Sequence, residues 1–439
     1  MAVTPTAEDV LAGRARSVVI EGAAEDVLPR LPTDAFAALI TDPPSGISFM
    51  EEEWDDDRGG RASWVAWLAG ILAAARARVV RGGRSYVWSL PRTSHWTGCA
   101  IEDAGWSIET ETCHLFAQGW PKGKTQLKPA HEGWKLARNG PSMPLNIDDC
   151  RVGVGQGGSC EGDATGRWPA TVELSHTPWC VRVGTRRMAA TRWGNGARRN
   201  EGIGYGSVAE GAVTASHENA DGTETIAVWR CAEGCPVAEL DAKAPATMHR
   251  SGNLGGTPRG SMGYAGGASG AVMPRGHEDA TANISRFFAQ HPAVDPDEPD
   301  PFVYATKVPA KERWCLARCG CGERVMHLDA ARKTCIVVES EDGRPREHRC
   351  VTCNQVREHT LHPTQKSVAL MRRFVRLVTK PGDVILDPFG GSMTTGVAAL
   401  LEGRRVVLVE KDPRFVRIGR ARIAAAEANL DLPLLRGIR

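Results

Sequence analysis

Residues 383–396 have the sequence Asp-Val-Ile-Leu-Asp-Pro-Phe-Gly-Gly-Ser-Met-Thr-Thr-Gly, and this stretch decides the fold predicted for the chain. A short apolar run ends in Asp387, and a turn rich in glycine and hydroxyl side chains follows. Residues 395–401 have helical character, and a second apolar run, 406–409, ends in Glu410. Strand, tight loop, helix and acid-tipped strand form half of a doubly wound α/β sheet, in which ligands lie at the carboxyl ends of strands. A plain nucleotide-binding fold has the same pattern.

Three motifs make the prediction more specific. Residues 387–395 resemble the S-adenosylmethionine-binding motif of DNA amino-methyltransferases, and residues 362–366, His-Pro-Thr-Gln-Lys, resemble the motif that precedes it in that family. Residues 41–46, Thr-Asp-Pro-Pro-Ser-Gly, resemble the family's catalytic motif. Because the catalytic motif comes first and the cofactor motif last, the order resembles the beta class. The resemblance covers about residues 15–150 and 300–425, and it implies a Rossmann-like, S-adenosylmethionine-dependent methyltransferase sheet that is circularly permuted.

The resemblance also implies roles for residues at both ends of the chain. The Asp42 side chain and the Pro43 carbonyl would hold the exocyclic amine of a base flipped out of double-stranded DNA, with Pro44 fixing the turn and Ser45 next to it. The implied contacts to S-adenosylmethionine come from Gly22, His362, Thr364, Lys366, Asp387, Pro388, Phe389, Gly391, Ser392, Thr394, Thr395 and Glu410.

Three positions depart from the family pattern. An aromatic residue that stacks on the flipped base usually follows the two prolines, but Ser45 stands here, so Phe49 or Trp54 becomes the candidate for that ring. Ala23 replaces an aspartate near the cofactor adenine, and Met393 replaces a glycine, where we expect it to crowd the methionyl end of the cofactor. These departures leave open a degenerate homologue that binds DNA without methylating it.

The implied substrate is an amino group of a DNA base. In the family an acidic or amide residue before the prolines usually accompanies adenine N6 methylation and serine accompanies cytosine N4 methylation, so Asp42 favours adenine and leaves cytosine open. RNA or a small molecule is disfavoured as substrate, because such enzymes rarely carry so large an insertion beside the catalytic loop. Pairing with a restriction enzyme and a homodimeric state both remain open.

Composition changes divide the 439 residues into four segments. We predict a catalytic half of the methyltransferase domain at 1–140 and its cofactor-binding half at 361–439. Between them lie an irregular, glycine-rich and partly flexible target-recognition insertion at 141–300 and a segment resembling a zinc ribbon at 301–360. In the family a hairpin loop matching 119–124 lies near the target base, which makes Trp120 and Lys122 candidate DNA contacts.

Charge and hydropathy bound the other possibilities. The formal net charge of +2 does not by itself indicate a nucleic-acid binder. A local basic cluster fits a solvated loop as well as a contact to DNA phosphates, and its members are Arg186, Arg187, Arg192, Arg198 and Arg199. The chain has neither a run of 18 apolar residues nor a signal peptide, so we expect a cytoplasmic protein with no membrane contact.

Hydrophobic periodicity predicts several elements. Strands are predicted at 18–20, 37–40, 86–89, 108–117, 131–136 and 302–305. Helices are predicted at 63–80, 368–378 and 413–428. We expect Ser63 to cap the first helix and residues 81–83, Arg-Gly-Gly, to end it.

Thirteen cysteines in an intracellular protein predict metal sites rather than disulfides. Cys319, Cys321, Cys350 and Cys353 bracket a segment with the alternation of a β-hairpin, which is typical of a zinc ribbon. Cys315 is an alternative to Cys321 as a ligand. We expect Cys335, inside the hairpin, to be a core residue.

A second set combines one histidine with three cysteines. His176 and Cys180, and likewise Cys231 and Cys235, stand four residues apart, and together they make a Cys3His set. A glycine-rich region with a thin core needs such a staple. We therefore predict two structural zinc ions, against the alternative of buried free thiols.

Overall fold

The computed structural model describes residues 5–49, 53–116, 127, 129–152, 169–177, 180–189, 223–243, 284–292 and 365–430, and the backbone of five short strands between 317 and 358. Its helices are α1 (Ala7–Leu11), α2 (Ala24–Val27), α3 (Arg61–Arg76), α4 (Ser94–Asp103), α5 (Pro236–Lys243), α6 (Val368–Val378), α7 (Thr394–Leu401) and α8 (Pro413–Leu430). Its first nine strands are β1 (Ser17–Glu21), β2 (Phe36–Thr41), β3 (Val79–Ser89), β4 (Ser107–Leu115), β5 (His131–Arg138), β6 (Val172–Ser175), β7 (Val181–Ala189), β8 (Thr223–Arg230) and β9 (Ala289–His291). The remaining strands are β10 (Ala317–Arg318), β11 (Arg324–Val325), β12 (Cys335–Glu339), β13 (Pro345–Cys350), β14 (Val356–Glu358), β15 (Val384–Asp387) and β16 (Arg405–Glu410).

A mixed, mostly parallel sheet forms the centre of the described fold. Its strand order is β1-β16-β15-β2-β3-β5-β4-β6-β9. The pairs from β1 to β3 are parallel, β5 is antiparallel to both of its neighbours, and β4, β6 and β9 are again parallel. The two C-terminal strands thus lie between the two N-terminal ones. This order brings the carboxyl ends of β2 and β15 together although more than 300 residues separate them in sequence.

Helices cover both faces of the sheet. One buried cluster packs α6, α7 and α8 against residues such as Ile385 and Leu408, and the other packs α1, α3 and α4 against residues such as Leu386 and Val407. Successive strand residues therefore enter opposite cores, as the period of a strand requires. Burial on both faces explains why β15 and β16 are continuous apolar runs rather than alternating ones.

The predicted elements around the motifs are confirmed, with two corrections at the ends of α3. Helix α6 has the predicted bounds, and β1, β2, β15 and β16 each exceed their predicted runs by one or two residues. Ser63 does not cap α3, because the helix already begins at Arg61 after Gly60. Residues 81–83 lie inside β3 rather than at the helix end. A Cβ on Gly83 would come within 2.6 Å of the Ala37 carbonyl, so this strand needs glycine where it crosses β2.

The segment predicted as an insertion adds strands to the fold. Strands β6 and β9 extend the central sheet beyond β4, whereas β7 and β8 form a separate antiparallel ribbon. Strands β12 and β13 pair antiparallel, with Cys335 opposite Cys350, which confirms the hairpin alternation in that segment. The strand predicted at 302–305 lies outside the described residues. Among the described helices, none is both long and apolar enough to cross a membrane.

Candidate functional site

A pocket of about 430 Å³ opens at the carboxyl ends of β2, β15 and β16. Both ends of the chain line it, because β2 lies beside β15 in the sheet. The sequence-predicted residues in its wall are Gly22, Asp42, Pro43, Pro44, Ser45, Phe49, Trp54, Lys366, Asp387, Pro388, Phe389, Gly391, Ser392, Thr394, Thr395 and Glu410. Every predicted base-side or cofactor-side residue that the structure describes therefore contributes to one cavity. Trp120, Lys122, His362 and Thr364 lie outside the described residues.

The Asp42 carboxylate lies beside a buried cation. Lys366 Nζ is 3.1 Å from Asp42 Oδ2 and 3.6 Å from Glu132 Oε2, and its side chain is only 6% exposed. The same ammonium lies 3.9 Å from the centre of the Trp88 ring, within cation–π distance. The resemblance implied that Lys366 contacts the cofactor, but the structure places its charged end with the catalytic motif.

Glu132 is a buried acid that no sequence motif identified. Its carboxylate accepts a 2.6 Å hydrogen bond from Trp88 Nε1 and contacts His114 Nδ1 at 2.8 Å. Although burial alone would raise the pKa of Glu132, Lys366 and the hydrogen bonds from His114 and Trp88 hold it well below its usual range. No periodicity in β5 distinguishes it, because the strand is buried continuously from Glu132 to Ala137.

Burial raises the pKa of Asp42 to about 7. The positive charge of Lys366 opposes this rise, whereas the negative charges of Glu132 and Asp387 add to it. The Asp42 side chain remains 23% exposed, and this exposed part faces the pocket that it lines. A carboxyl group with a pKa near 7 can accept or release a proton at neutral pH.

A second buried acid shapes the loop after the catalytic motif. Asp55 is fully buried and accepts hydrogen bonds from the backbone amides of Ser45, Gly46 and Phe49 and from the Ser45 hydroxyl. Gly46 has a φ of 69°, and a Cβ there would lie 2.7 Å from the Trp64 ring. The loop therefore has one well-defined path, and the hydroxyl of Ser45 is held by Asp55.

Hydrogen bonds fix the cofactor-side loop at its start. Thr41 Oγ1 donates a 2.7 Å bond to Asp387 Oδ1, which also accepts the Phe389 amide at 3.1 Å. Burial raises the pKa of Asp387 to about 6, against the lowering effect of the hydrogen bonds from Thr41, Thr395 and Phe389. The Thr41–Asp387 bond joins the two halves of the site directly, one residue before Asp42.

Glu410, at the carboxyl end of β16, holds the loop that follows β15. Glu410 Oε2 accepts the Gly391 amide at 2.7 Å, and Oε1 accepts the Asp412 amide at 2.8 Å. A carboxylate has about four acceptor positions, so Glu410 retains capacity for a ligand hydroxyl. Burial raises its pKa in spite of these backbone hydrogen bonds.

Met393 does not crowd the pocket, contrary to expectation. Its side chain is fully buried in the core and packs against Gly390 and Gly419, where added Cβ atoms would come within 2.5 and 2.2 Å of it. Its backbone is left-handed, with a φ of 61°, which turns the side chain away from the loop's open face. Arg422, also buried, donates a 2.5 Å hydrogen bond to the Ser392 carbonyl and supports the loop from α8.

Aromatic side chains line much of the pocket. Phe49 and Trp54, the candidates for base stacking, are in its wall together with Trp88 and Phe116. On the opposite side Phe389 packs edge-on against Trp67 at 5.8 Å between ring centres. The sequence indicated Phe49 and Trp54 because they follow the catalytic motif, and Phe389 because it belongs to the cofactor motif. It gave no signal for Trp67, Trp88 and Phe116, which come from other parts of the chain.

A Cys3His cluster lies outside this pocket. Its candidate ligand atoms all lie within 4.8 Å of one another, and its members are His176, Cys180, Cys231 and Cys235. His176 Nδ1 is 3.5 Å from the sulfur atoms of Cys231 and Cys235, and its Nε2 pairs with Gln290 Oε1 at 3.0 Å. Although burial opposes it, hydrogen bonds from Thr177 and Ala232 lower the pKa of Cys180. The structure thus brings the second predicted ligand set together.

The first predicted ligand set is largely beyond the described residues. Cys319, Cys321 and Cys353 are not described, and Cys350 is described only as backbone in β13. Cys315 is likewise not described.

Comparison with known proteins adds information that is independent of the geometry. Residues 184–421, just over half of the chain, match the family model for N6/N4 methyltransferases described as DNA methylase. DNA adenine methyltransferase YhdJ of Escherichia coli strain K12 is 41% identical over 69 residues, which are 16% of this chain and 24% of that protein. Type II methyltransferase M2.DpnII of Streptococcus pneumoniae is 47% identical over 64 residues, 15% of this chain and 24% of that protein. The chain spans about a quarter of the length of these two relatives.

Solved structures of similar proteins include PvuII DNA methyltransferase, described as cytosine-N4-specific. Its TM-score is 0.42 at 12% identity, with 95% of this chain and 91% of that chain covered. The M1.HpyAVI–SAM complex has a TM-score of 0.37 at 13% identity, with 95% and 100% covered. The match to more than half of the sequence identifies the chain as a member of the DNA methylase family of N6 and N4 amino-methyltransferases.

Proposed function

We propose that this chain transfers a methyl group from S-adenosylmethionine to the exocyclic amine of a base flipped out of double-stranded DNA. The favoured acceptor is adenine N6. The observation that carries the proposal is the shared pocket, in which the catalytic-type motif around Asp42 faces the cofactor-type loop after Asp387. The two motifs come from opposite ends of the chain and meet because β2 pairs with β15. The same strand order is what a circularly permuted methyltransferase sheet requires.

The chemistry explains why an acid and two prolines suit this place. An exocyclic amine is a poor nucleophile because its lone pair is delocalised into the ring. In the proposed complex the Asp42 carboxylate and the Pro43 carbonyl accept hydrogen bonds from the two N–H groups of the amine. They thereby direct its lone pair towards the methyl carbon. Pro44 keeps the backbone of this turn rigid. The contribution is positioning together with electrostatic stabilisation.

On the other side of the pocket, we assign the cofactor to the loop after β15 and the tip of β16. Glu410 is proposed to accept the ribose hydroxyls, and the loop backbone at Gly391 to approach the ligand closely. The hydroxyl-rich positions Ser392, Thr394 and Thr395 complete that wall. His362 and Thr364 are assigned to the cofactor on the motif alone.

The flipped base needs an aromatic surface, and Ser45 does not supply one. We propose that Phe49 or Trp54 stacks on the base, since both line the pocket beside Asp42. The hydrogen bond that Asp55 accepts from the Phe49 amide favours a fixed position for Phe49. Trp120 and Lys122 remain proposed DNA contacts, because in the family the matching hairpin loop lies near the target base.

Adenine is the favoured base and cytosine N4 the alternative. Asp42, rather than serine, precedes the prolines. The relative YhdJ is named a DNA adenine methyltransferase, which supports the same assignment. A degenerate homologue that binds DNA without turnover was the other alternative; the buried position of Met393 removes one of the three departures that favoured it.

Segment 141–300 is proposed to contact DNA through the β7–β8 ribbon. Arg182 and Arg186 are exposed on β7, and a two-stranded ribbon fits the major groove of B-DNA. Replacing both arginines with alanine should weaken DNA binding and reduce its salt dependence, whereas replacing the exposed Arg14, which follows α1, with alanine should do neither. The four segments 1–140, 141–300, 301–360 and 361–439 keep their proposed roles as catalytic half, recognition insertion, zinc-ribbon-like segment and cofactor half.

Zinc is proposed as a structural ion, with two ions per chain. A tetrahedral zinc ion, with bonds of about 2.3 Å to sulfur and 2.0–2.1 Å to nitrogen, separates these atoms by about 3.5 Å. The 3.5 Å distances from His176 Nδ1 to Cys231 and Cys235 match this value. Gln290 holds the other imidazole nitrogen, as a residue behind a metal ligand does. The second ion is assigned to Cys319, Cys321, Cys350 and Cys353 on their spacing.

Elemental analysis of protein purified without chelator tests the metal proposal. Two zinc ions per chain support both sites, and one ion lost in Cys235→Ser identifies the Cys3His site. Chelation should weaken DNA binding before cofactor binding, because the metal stabilises the recognition region locally. Freely titratable thiols in the folded protein, with no zinc, would eliminate both sites.

Modification mapping by long-read sequencing tests the proposed activity itself. DNA from cells that express the chain should carry N6-methyladenine at a fixed sequence context, absent from cells that express Asp42→Ala. N4-methylcytosine would decide for the alternative base. Unmodified DNA together with calorimetric binding of S-adenosylmethionine would decide for the degenerate homologue.

A further inference from the structure

The Lys366 ammonium connects the Asp42 carboxylate to a group of buried side chains that lie outside the methyltransferase motifs. Lys366 lies between Asp42 and Glu132, at 3.1 and 3.6 Å. Trp88 holds both partners, because its indole N–H donates to Glu132 at 2.6 Å and its ring face lies against the Lys366 ammonium at 3.9 Å. His114 contacts the other Glu132 oxygen. The Lys366 and Glu132 side chains are only 6% and 5% exposed.

We propose that Lys366 and Glu132 are positioning residues that together set the charge of Asp42: Lys366 favours the ionised carboxylate directed at the pocket, and Glu132 holds Lys366 in place and limits that effect. The inference rests on the proposed methyl transfer and adds to it a device that sets the charge of the catalytic acid. Lys366 supplies the cation that Asp42 needs in order to ionise at its buried place. Glu132 keeps that cation buried and correctly oriented, and it limits how far the cation stabilises the Asp42 charge.

An ionised Asp42 gives the reaction a destination for its proton. The amine lone pair forms the bond to the methyl carbon while the electrons of the carbon–sulfur bond leave with sulfur, which becomes a neutral thioether. The methylated nitrogen then carries a positive charge, and it must lose one proton to become a neutral secondary amine. Asp42, hydrogen-bonded to that N–H, accepts the proton and later releases it to solvent through the pocket.

The charges around Asp42 determine the direction of each test. The titratable groups facing it are Lys366 before α6, Glu132 on β5 and Asp387 at the end of β15. His114 on β4 lies behind Glu132, and Asp55 of the following loop lines the same pocket. Removing the Lys366 cation must raise the pKa of Asp42. Removing the Glu132 anion must lower it, because a like charge is lost and Lys366 is less compensated.

The experiment compares Lys366→Met, Lys366→Arg and Glu132→Gln with the parent protein. The pH dependence of kcat is measured with tritiated S-adenosylmethionine and unmethylated genomic DNA. The acidic limb of the parent should lie near pH 7, following Asp42. Lys366→Met should move it upward by about one pH unit or more and Glu132→Gln should move it downward, whereas Lys366→Arg, which keeps the charge, should stay near the parent. The control Glu111→Gln removes an acid paired with Lys135 on the same two strands and should not move the limb.

A second readout separates this inference from the proposed function. The Asp42 carboxyl is titrated by NMR in protein labelled with 13C-aspartate and free of DNA, with Asp42→Asn identifying the signal. Opposite shifts of the titration midpoint in Lys366→Met and Glu132→Gln support the network even if no DNA is methylated, in which case only the methyl transfer fails. Glu132→Gln is isosteric and carries the test alone if Lys366→Met does not fold. Unmoved midpoints, or shifts in the same direction, in folded variants overturn the inference.

Discussion

The two sides of the pocket are built in different ways. The cofactor side is a loop whose shape is set by neighbouring backbone groups, with Glu410 accepting two amides and Asp387 accepting a third. On the base side, Asp55 holds the nearby loop, and Lys366 and Glu132 come from distant parts of the chain, with Lys366 beside Asp42 and Glu132 beside Lys366. The cofactor side is therefore specified mainly by nearby residues, whereas the base side also depends on contacts between distant elements of the fold. Substitutions on the two sides should therefore have separable effects.

Asp42→Ala is expected to show the largest difference between the effect on methyl transfer and the effect on cofactor binding. Methyl transfer should fall by about 10²–10⁴-fold, because the amine loses its acceptor and the proton its destination. S-adenosylmethionine affinity measured by calorimetry should stay close to that of the parent, since the cofactor side keeps its own hydrogen bonds. Equal turnover of mutant and parent would remove Asp42 from the chemistry.

A smaller effect should follow from Asp55→Ala. Each buried amide that loses its acceptor costs about 1–3 kcal/mol, so kcat/KM for DNA should fall by about tenfold or more as the Ser45–Phe49 loop loosens. The exposed neighbour Asp56→Ala serves as the matched control. Unchanged kinetics with DNA, or an equal loss of cofactor affinity, would argue against a role confined to the base side.

On the cofactor side, Glu410→Ala should weaken S-adenosylmethionine binding by about tenfold or more, since a hydrogen bond to a charged group contributes about 1.5–3 kcal/mol. Glu21→Gln is the matched control, because Glu21 is the register partner of Glu410 on β1 and ends a strand in the same way. The acidic limb of the pH profile should not move in either variant. An unchanged calorimetric dissociation constant would contradict the assignment.

The smallest effect concerns stability rather than binding. Gly419→Ala places a methyl group against Met393 and should lower the free energy of unfolding by about 1–3 kcal/mol through overpacking. Met393→Gly should recover part of this loss, because it removes the crowding side chain and suits the left-handed backbone. A double-mutant cycle by thermal or denaturant unfolding measures the coupling, and additive effects would show that the contact is unimportant.

These differences also explain what the sequence predicted. The strand–loop–helix–strand unit from β15 to β16 was predicted because its periods, glycines and terminal acids all lie within 30 residues. The Cys3His set was predicted because ligands four residues apart leave a visible spacing. Glu132 and Trp88 were missed because each is a single buried residue whose partners lie on other elements, and Asp55 was missed because it is one of several acids in the same loop and only its burial distinguishes it. Met393 was misjudged because its direction depends on one left-handed φ and on a glycine in α8.

The predicted end of α3 was wrong for a related reason. The apolar residues of α3 continue into Val79 and Val80 at a spacing that also suits a helix, so the prediction extended to the start of β3. Val79 and Val80 form a strand because β3 pairs with β2. Such pairing cannot be inferred from the spacing of apolar residues in a short stretch of sequence. The close approach that requires Gly83 was likewise a property of two strands and not of one.

The His114 side chain limits where the proposed recognition segment, 141–300, can be exchanged. One of its ring nitrogens contacts Glu132 in the pocket wall, and the other lies 2.7 Å from the hydroxyl of Ser175, the residue before His176. A recognition segment exchanged between relatives at 141–300 would carry Ser175 with it and leave His114 behind. Chimaeras that cut after β6 keep this pair intact, whereas those that cut before it must supply a matching hydroxyl or leave a buried imidazole unsatisfied beside Glu132.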